Sequence, residues 1–421
     1  MPHTTPANEK YALLHWGAGF RYAAFFDTCD SPVDRYGQWD YLLGVARSDA
    51  AAIVRWEDFV ARPVGWCMGI LPYELRVLLE PGLRHRQEPW VALPEVALFV
   101  PEVVVGKRRG AANYAVLHDP GGLLPAELPP PPSGQQEVAP PLFTALTDRE
   151  TYLDQIRRLQ VHIHDGDSYE VNLSQAFVAT AMLADPAATF RRLTDLSPVP
   201  FAAFVRHGDT YLISASPERF LQRQGPCLRS QPIKGTAPRG STPAEDEALR
   251  QHLQHSDKEQ AENVMIVDLT RNDLYRCCLP HSVTVPHLFE VQTFPQVFQL
   301  VSTVEGLVDP TLDAAAVLSR SFPPGSMTGA PKVMSMELID RYEPTARGAY
   351  AGSAGYFTPE GDFDLNVIIR SLRYDAATRR LSYHVGGAIT FDSDPAQEYE
   401  ETLVKARALR ALFGEMHAPG T

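Results

Sequence analysis

The stretch SDKEQAENVMIVDLTRND, residues 256–273, carries a clear helix pattern. Ser256 and Glu259 have the spacing of a capping box, and the apolar periodicity predicts a helix that continues to about Asn272. Glu259 and Glu262 are three residues apart, so both side chains lie on one face of this helix. The stretch therefore predicts a helix that presents two carboxylates to the element packed against it.

A second carboxylate pair occurs near the end of the chain. Glu398 and Glu401 are also three residues apart, on a helix predicted to begin at Pro395. If the two helices face each other, four carboxylates repel one another unless a cation neutralises them, and oxygen ligands suit Mg²⁺. Each pair alone also has a simpler interpretation: Glu259 completes a capping box, and Glu398 and Glu401 are acids favoured near a helix N-terminus.

Around these helices the pattern alternates between helices and strands without a regular βαβ repeat, which favours an α+β fold. Capping boxes predict further helices at 147–150, with Thr147 as the cap, and at 242–245. We expect another helix over 331–342. The predicted strands lie at 11–15, 96–100, 103–105, 171–178, 202–205, 211–215, 350–357, 365–372 and 381–385.

A proline-rich run divides the chain. Residues 119–141 include LPPPPSG at 128–134, and prolines fix φ and remove backbone donors, which predicts an extended connector. This gives an N-terminal segment, 1–118, and a second region, 142–421. The same run is also compatible with a long loop across one intertwined domain.

Composition excludes several classes of protein. The chain has 421 residues, 44% of them hydrophobic, and a net charge of −13 without the basic footprint of a nucleic-acid binder. No secretory signal begins the sequence, and the most apolar span, 91–105, is interrupted by prolines and glutamates, so no membrane helix is expected. The odd number of scattered cysteines, five, indicates reduced thiols and a cytoplasmic location.

Several further residues have the chemistry of a reactive site. Lys234, in PIKGT at 232–236, is flanked by Ile233 and Gly235, so desolvation could make its amine nucleophilic, with Glu218 near in sequence to move protons. A surface lysine beside a turn is the simpler alternative. Gly-rich runs at 322–332 and 386–388 allow backbone N–H groups to approach an anion, and Arg370 ends an apolar strand where it could clamp a carboxylate.

One motif resembles a different catalytic site. GWCMG at 65–69 has the form of the nucleophile elbow of glutamine amidotransferases, but no buried strand precedes it and the segment is too short for such a domain. We interpret Cys67 as a small core residue.

Together, the order and spacing of these motifs resemble the chorismate-utilising enzymes, a family that includes anthranilate, aminodeoxychorismate, isochorismate and salicylate synthases. The resemblance extends from about Thr147 to Leu412 and is looser before that. It rests on the segments GDSYEVNLSQ (166–175), SPERF (216–220), PIKGT (232–236), AENVMIVDLTRND (261–273), PGSMTGAPK (324–332), 350–356, 369–370, 386–393 and 398–406. It implies two packed β-sheets with helices outside and the active site between the sheets, and an N-terminal segment that holds a tryptophan pocket in some members.

The resemblance also implies a role for each matched residue. Glu262 and Glu401 would be the principal Mg²⁺ ligands, with Glu259 and Glu398 close to the ion, and the ion would hold the ring carboxylate of chorismate. Glu218 would be the general acid–base that assists departure of the C4 hydroxyl. Contacts to the substrate's anionic groups would come from Arg370, Tyr350, Lys405, Ser326, Gly386, Gly387 and Ala388.

Lys234 selects a branch of the family. Anthranilate synthases have alanine at this position, whereas PIKGT is the motif of the members that aminate chorismate at C4. The resemblance therefore implies formation of 4-amino-4-deoxychorismate, a precursor of 4-aminobenzoate and folate, through a covalent lysine intermediate. Ammonia would come from a separate glutamine amidotransferase subunit. The alternatives are an anthranilate synthase component I and a non-catalytic amino-acid-binding homologue.

Two positions depart from the family pattern. Gln299 stands where relatives commonly have a histidine tied to pyruvate elimination, so we expect no lyase step. Glu170 stands where related synthases have glutamine and where isochorismate-forming members have a lysine base, so we expect no hydroxylation at C2.

Overall fold

The computed structural model describes residues 6–62, 64–84, 87–130 and 139–414. The middle part of the proline-rich connector predicted at 119–141 falls in the gap at 131–138, outside the described residues. In the described part, the α-helices are α1 (Pro6–Ala18), α2 (Trp56–Ala61), α3 (Arg76–Leu79), α4 (Arg149–His164), α5 (Pro186–Leu196), α6 (Pro243–Gln254), α7 (Asp257–Tyr275), α8 (Ala314–Ser321), α9 (Lys332–Tyr342), α10 (Pro395–Lys405) and α11 (Arg407–Leu412).

The strands, numbered along the chain, are short at the N-terminal end and longer around the centre. They are β1 (Tyr22–Asp27), β2 (Trp39–Ala46), β3 (Ala52–Ile53), β4 (Cys67–Leu71), β5 (Ala97–Phe99), β6 (Val103–Arg108), β7 (Ala115–His118), β8 (Thr144–Ala145), β9 (Glu170–Thr180), β10 (Phe201–His207), β11 (Thr210–Ser216), β12 (Arg219–Gln224), β13 (Cys227–Gln231), β14 (Ile233–Pro238), β15 (Thr284–Thr293), β16 (Val297–Leu307), β17 (Gly329–Ala330), β18 (Ser353–Phe357), β19 (Phe363–Asn366), β20 (Ser371–Asp375) and β21 (Arg380–Ile389).

The strands form two antiparallel sheets. The first sheet has the order β17-β9-β21-β20-β11-β10-β1-β2-β6-β7, with β8 also on β9, and the second has the order β14-β16-β13-β12-β19-β18-β4-β5-β3, with β15 also on β16. Strands from before and after the connector pair in both sheets: β1 pairs with β10, and β4 pairs with β18. The predicted α+β fold with two packed sheets is confirmed.

Apolar side chains between the sheets hold them face to face. Met68 and Phe99 of the second sheet share a buried cluster with Leu42, Val104 and Ala203 of the first. Because successive side chains of a strand point to opposite faces, the other face of each sheet needs its own cover. Helices α1, α5 and α11 cover the first sheet, α4 and α9 also pack on this sheet at β9, and α8 joins a cluster that includes strands of the second sheet.

The helix carrying the first carboxylate pair forms as predicted. Ser256 caps α7 by accepting a hydrogen bond from the Glu259 backbone N–H, and the helix runs to Tyr275, three residues beyond the predicted end. Thr242 caps α6, and Asp394 caps α10, in which Pro395 occupies the tolerated first turn. Both carboxylate pairs therefore lie on capped helices.

Three local predictions were wrong. The strand predicted at 365–372 is interrupted, because β19 ends at Asn366 and β20 begins at Ser371, so Arg370 lies in the connection between them. Residues 11–15 belong to helix α1 instead of a strand, because the adjacent apolar residues Leu13 and Leu14 both face the core, which a helix permits and an alternating strand does not. The cap of α4 is Asp148 instead of Thr147: its carboxylate accepts the Thr151 N–H at 2.8 Å, while the Thr147 side chain is buried.

The cysteines are placed as the sequence predicts. All five cysteines are free, and Cys67 is fully buried in β4, where burial raises the pKa of its thiol to about 12. Cys67 is therefore a core residue, as predicted. None of the helices in the described part is both long and apolar enough to cross a lipid bilayer.

Candidate active site

Lys234 lies where the two sheets come together. It is the second residue of β14, in the second sheet, and its Nζ lies 2.5 Å from Oε1 of Glu170, the first residue of β9 in the first sheet. Burial alone would lower the pKa of Lys234, but the charges of Glu170, Glu262 and Glu218 outweigh that effect and raise it. The lysine is therefore a buried cation held by an anion from the opposite sheet.

Glu218 lies close to this pair, in the turn between β11 and β12. The backbone of the turn is held by the Ser216 hydroxyl, which accepts the Glu218 N–H at 3.3 Å and donates to the Val367 carbonyl at 2.5 Å. The Glu218 carboxylate accepts hydrogen bonds from the Ser326 hydroxyl and the Ile233 N–H. Burial raises its pKa to about 7, in spite of these bonds and of the positive charges of Lys234 and Arg370. A carboxyl with this pKa is suited to give and take a proton near neutral pH.

Arg370 provides a second positive charge that acts on Glu218. Its φ of +51° places it in the left-handed region, and its carbonyl accepts the Ala215 N–H at 3.2 Å. Burial lowers the pKa of its guanidinium, and the charge of Glu218 opposes that effect. Within the described residues, no side chain or carbonyl hydrogen-bonds with this guanidinium. Arg370 therefore has donors free for an anionic ligand, and its predicted contact with a substrate carboxylate stays a prediction.

The two carboxylate pairs approach each other from α7 and α10. A Cβ on Gly387 would lie 3.1 Å from Glu398 Oε2 and 4.0 Å from Glu401 Oε1, so both α10 carboxylates adjoin β21. On the opposite side, Glu259 Oε2 lies 2.8 Å from the position of a Cβ on Gly235, whose φ is +88°. Gly235 is required there, both for its backbone conformation and for the room it leaves to Glu259.

The charges of these carboxylates are only partly compensated. Burial raises the pKa of Glu262 to about 7, and burial followed by smaller charge effects raises the pKa values of Glu259 and Glu398. Glu401 is the exception: Lys405, 2.6 Å away, lowers its pKa against the effect of burial. The charge of Glu401 raises the pKa values of both Glu259 and Glu398, so the carboxylates of the two helices act on one another.

This donor set fits a hard divalent cation. Three of the four carboxylates have raised pKa values, so a cation that neutralises their charge would be favourable, and oxygen ligands of this kind suit Mg²⁺. In the described part of the chain, no three acidic, histidine or cysteine side chains are already arranged as ligands of one ion. The four glutamates are therefore near one another and chemically suitable, and metal binding stays a prediction.

The residues predicted to contact the anionic groups of the substrate have different neighbours in the structure. Lys405 donates to the Gly386 carbonyl at 3.1 Å and pairs with Glu401, so it is attached to the carboxylates instead of being free. Gly386 packs on β9 so closely that a Cβ would lie 2.4 Å from the Leu173 carbonyl oxygen. Ala388 lies two residues further along β21, opposite Asn172. Ser326 is committed to Glu218.

Tyr350 is the last of the predicted substrate contacts. It is buried, its ring stacks on His384 at 5.2 Å, and burial raises the pKa of its hydroxyl. The charge of Glu218 also raises the pKa of this hydroxyl. Tyr350 thus lies within the same site as Glu218, next to the β21 backbone that carries the glycines.

Two residues of the site were not predicted as parts of it. Glu170 was noted only as a departure from the family pattern, and its contact with Lys234 depends on the packing of two sheets. His384 is fully buried and has neither ring nitrogen bonded to a described residue; burial lowers its pKa well below the usual range. Nothing in the local sequence signals that β21 would place a neutral histidine against Tyr350.

The arrangement agrees with a comparison against known proteins. A model of the chorismate binding enzymes matches residues 28–411. The chain belongs to this family. It is 39% identical over 349 residues to the aminodeoxychorismate synthase component 1 of Klebsiella aerogenes, covering 82% of this chain and 76% of that protein. It is 40% identical to the aminodeoxychorismate synthase of Streptomyces griseus, covering 83% of this chain but 50% of the longer relative.

A solved structure supports the fold assignment within the family. The anthranilate synthase component I of Streptococcus pneumoniae superposes with a TM-score of 0.73 at 29% identity, covering 82% of this chain and 81% of that one. The resemblance to chorismate-utilising enzymes is thus confirmed.

Proposed function

We propose that this protein converts chorismate and ammonia into 4-amino-4-deoxychorismate, a precursor of 4-aminobenzoate and folate. The observation that carries the proposal is the buried Lys234 within PIKGT, placed beside Glu218 and paired with Glu170. The names of the Klebsiella aerogenes and Streptomyces griseus relatives support the same reaction.

The proposed chemistry uses two successive substitutions. The neutral Lys234 amine forms a bond to C2 of chorismate while the C4–O bond breaks, and Glu218 gives its proton to the departing hydroxyl, which leaves as water. Ammonia then forms a bond to C4, and the C2–N bond to Lys234 breaks. Dividing one difficult substitution into two easier ones is the usual advantage of a covalent intermediate.

Other residues hold the substrate. Arg370 has donors free for a carboxylate, and its bidentate geometry suits the enolpyruvyl group. Glu262 and Glu401 would hold Mg²⁺, with Glu259 and Glu398 close by; when bound, the ion supplies a positive charge for the ring carboxylate. The Lys405 contact keeps Glu401 ionised and oriented toward this position.

Ammonia would be supplied by a glutamine amidotransferase subunit, and the reaction would take place in the cytoplasm. The name "component 1" of the Klebsiella aerogenes relative supports a partner, and the five free thiols support a reducing compartment. We expect turnover with ammonium salts by this chain alone, and turnover with glutamine only after the partner is added.

The decisive experiment is mass spectrometry of the products formed from chorismate, MgCl₂ and an ammonium salt, with and without a downstream lyase. We expect 4-amino-4-deoxychorismate, which becomes 4-aminobenzoate only when the lyase is present. Fluorescent anthranilate as the product would instead identify an anthranilate synthase. Absence of any chorismate-dependent product would favour a non-catalytic amino-acid-binding homologue.

A further inference from the structure

A small cavity adjoins Glu218, and none of the four glutamates of the predicted metal site lines it. Its walls come from the turn at Glu218, from Ser230 on β13, from Thr270 and Asp273 on α7, and from Ser326. The cavity has a volume of about 10 Å³, which is the space that one water-sized molecule needs. It therefore adjoins the general acid–base and has room for one small molecule.

The face of α7 that lines this cavity is the face that carries the carboxylate pair. Glu262, Ile266, Thr270 and Asp273 follow one another at spacings of four, four and three residues, which keeps them on one side of a helix. Thr270 is eight residues from Glu262, or about 12 Å along the axis. The cavity is therefore a separate place from the predicted metal site, served by the same helix.

The cavity wall carries several polar groups that have no partner among the described residues. Asp273 is 4% exposed, and its Oδ1 is buried without a partner among the described residues. Its other oxygen pairs with Lys332 at 2.8 Å. In the described structure, no side chain or carbonyl hydrogen-bonds with the hydroxyls of Ser230 and Thr270. A buried carboxylate oxygen without a donor is costly, so a donor is expected in the cavity.

The charged donors near the cavity are already committed, whereas the hydroxyls of Ser230 and Thr270 can each donate as well as accept. Lys332 donates to Asp273 and to the Ser321 carbonyl, and the Ser321 hydroxyl donates to Val317. The Arg219 guanidinium is occupied by Asp34 and Asp364. A ligand of this cavity must therefore bring a donor for the free oxygen of Asp273, and the two hydroxyls can accept from the same ligand. Ammonium supplies four donors, and unlike water it adds a positive charge beside two buried carboxyl groups, Asp273 and Glu218.

We propose that this cavity binds the ammonium ion that becomes the nucleophile, held by Asp273, Thr270 and Ser230 and facing Glu218. The proposal rests on the proposed function and assigns the second substrate a site of its own. After Glu218 has given its proton to the leaving C4 hydroxyl, its carboxylate takes a proton from ammonium. The resulting neutral ammonia attacks C4 and expels Lys234 as an amine, and Glu218 is again protonated for the next cycle.

The electrostatics support this exchange. Glu218 has a pKa of about 7 because it is buried, so its carboxylate binds a proton more tightly than an ordinary glutamate does. In addition, the positive charge of ammonium would compensate both Glu218 and the unpaired oxygen of Asp273. The same cavity is too small for methylammonium, which would add a methyl group to a space of one water.

Thr270→Val tests the site with little change in shape, and Ser230→Ala is a second variant that leaves α7 intact. Removal of one hydrogen bond to a cation should raise the KM for ammonium about tenfold, while the KM for chorismate and the rate of Lys234 adduct formation without ammonium stay unchanged. Clearance of the adduct by ammonium should slow in parallel. The control is Thr194→Val, because Thr194 is a buried helical threonine of α5, whose hydroxyl bonds only within its own helix.

Crystals soaked in thallous acetate provide a readout that does not depend on turnover. Tl⁺ resembles ammonium in size and charge, and we expect its anomalous signal in the cavity of the unmodified protein but not of Thr270→Val. An unchanged ammonium KM in both variants, or a cavity without Tl⁺, would overturn the proposal. If the unmodified protein makes no aminated product, the proposed function fails instead, and the Tl⁺ soak still decides whether the cavity binds a cation.

Discussion

Lys234 of β14 and Glu170 of β9 form a 2.5 Å ion pair that joins the two sheets across the candidate active site. The side chain of Glu170 is 1% exposed and that of Lys234 is 10% exposed, so neither charge has much contact with water. The pair fixes the amine between Glu218 and the carboxylates of α7. It also determines when the amine is neutral, because the charge of Glu170 is the largest influence that raises the pKa of Lys234.

Glu170→Gln should therefore lower the pKa of Lys234. Glutamine removes the charge that raises this pKa, whereas burial, which lowers it, remains. In the variant the amine loses its proton at a lower pH, and only the neutral amine is methylated. Reductive methylation of Lys234 should therefore begin at lower pH than in the unmodified protein. Mass spectrometry of the Lys234 peptide measures this, with the exposed Lys258 as internal control. Identical pH dependence in the two proteins would show that Glu170 does not control the lysine.

Glu218→Gln should abolish most activity and change the pH dependence of stability. Loss of a general acid–base typically costs about 10²- to 10⁴-fold in rate. In the folded state the pKa of Glu218 is about 7, against 4.5 for an ordinary glutamate. The folded protein thus binds this proton more tightly than the unfolded chain, and stability is lost as the pH rises from about 4.5 through about 7.

Glu218→Gln has no carboxyl at this position, so the variant does not lose this stability as the pH rises. The difference in free energy of unfolding between variant and unmodified protein should therefore move in favour of the variant by about 3 kcal/mol between pH 4.5 and pH 8. Urea unfolding at several pH values measures it. A difference that stays constant over this range would contradict the assignment of a raised pKa to Glu218.

Much of this arrangement was predictable from the sequence because it depends on local spacing. The helices that carry Glu259, Glu262, Glu398 and Glu401 follow from caps and from i, i+3 positions. The family motifs also placed Lys234, Glu218 and Arg370 in one site. In each case the information lies within one turn of helix or one segment that matches the family.

Contacts between distant segments were not predictable in the same way. The ion pair of Lys234 with Glu170 joins residues 64 positions apart on different sheets, and no local pattern encodes how the sheets face each other. The strand predicted at 11–15 failed because its two adjacent apolar residues are buried by sheet strands that lie elsewhere in the sequence.

Magnesium should stabilise the protein in a way that depends on Glu262 and Glu401. A ligand at 100 times its dissociation constant adds about 2.7 kcal/mol to stability, and Glu262→Gln or Glu401→Gln should remove most of this gain together with turnover. Glu400→Gln is the matched control for Glu401→Gln, because Glu400 is an exposed glutamate of the same helix, α10. Calorimetry with and without MgCl₂ provides the measurement, and full activity in excess EDTA would refute the role of the metal.

The same site should respond to pH. The pKa of Glu262 is about 7 because the carboxyl is buried, and a carboxylate must lose its proton before it binds a metal. Mg²⁺ binding should thus be weaker at pH 6 than at pH 8. Titration calorimetry at the two pH values tests this, and equal affinity at both would place the metal elsewhere.

Gln299 should make the enzyme release its product with the enolpyruvyl group intact. Gln299 is buried on β16 opposite Thr236, two residues from Lys234, and its Oε1 has no partner in the described structure. It has no group able to take a proton near neutral pH, so elimination of pyruvate lacks the base that histidine provides in relatives. A coupled lactate dehydrogenase assay should detect no pyruvate from the purified protein. Stoichiometric pyruvate would contradict this prediction, and Gln299→His is the variant in which traces are expected.

Lys234→Ala is the most direct test of the covalent intermediate. With chorismate present and ammonium withheld, the unmodified protein should gain the mass of chorismate minus water on the peptide that contains Lys234, and ammonium should clear it. The variant should form no adduct, and any residual turnover should give 2-amino-2-deoxyisochorismate by direct attack of ammonia at C2. The wild-type product at the wild-type rate would make the lysine a spectator and would remove the basis for placing this chain in the aminating branch.

A stability measurement separates loss of the nucleophile from loss of the fold. Lys234→Ala leaves Glu170 buried without its cation, and breaking a buried pair in this way costs about 3 kcal/mol or more. The double variant Lys234→Ala with Glu170→Gln has no unpaired charge, so most of that stability should return while the adduct stays absent. If the double variant regained turnover along with stability, the single variant would have been inactive because of its damaged fold. If only stability returns, the missing amine itself accounts for the missing reaction.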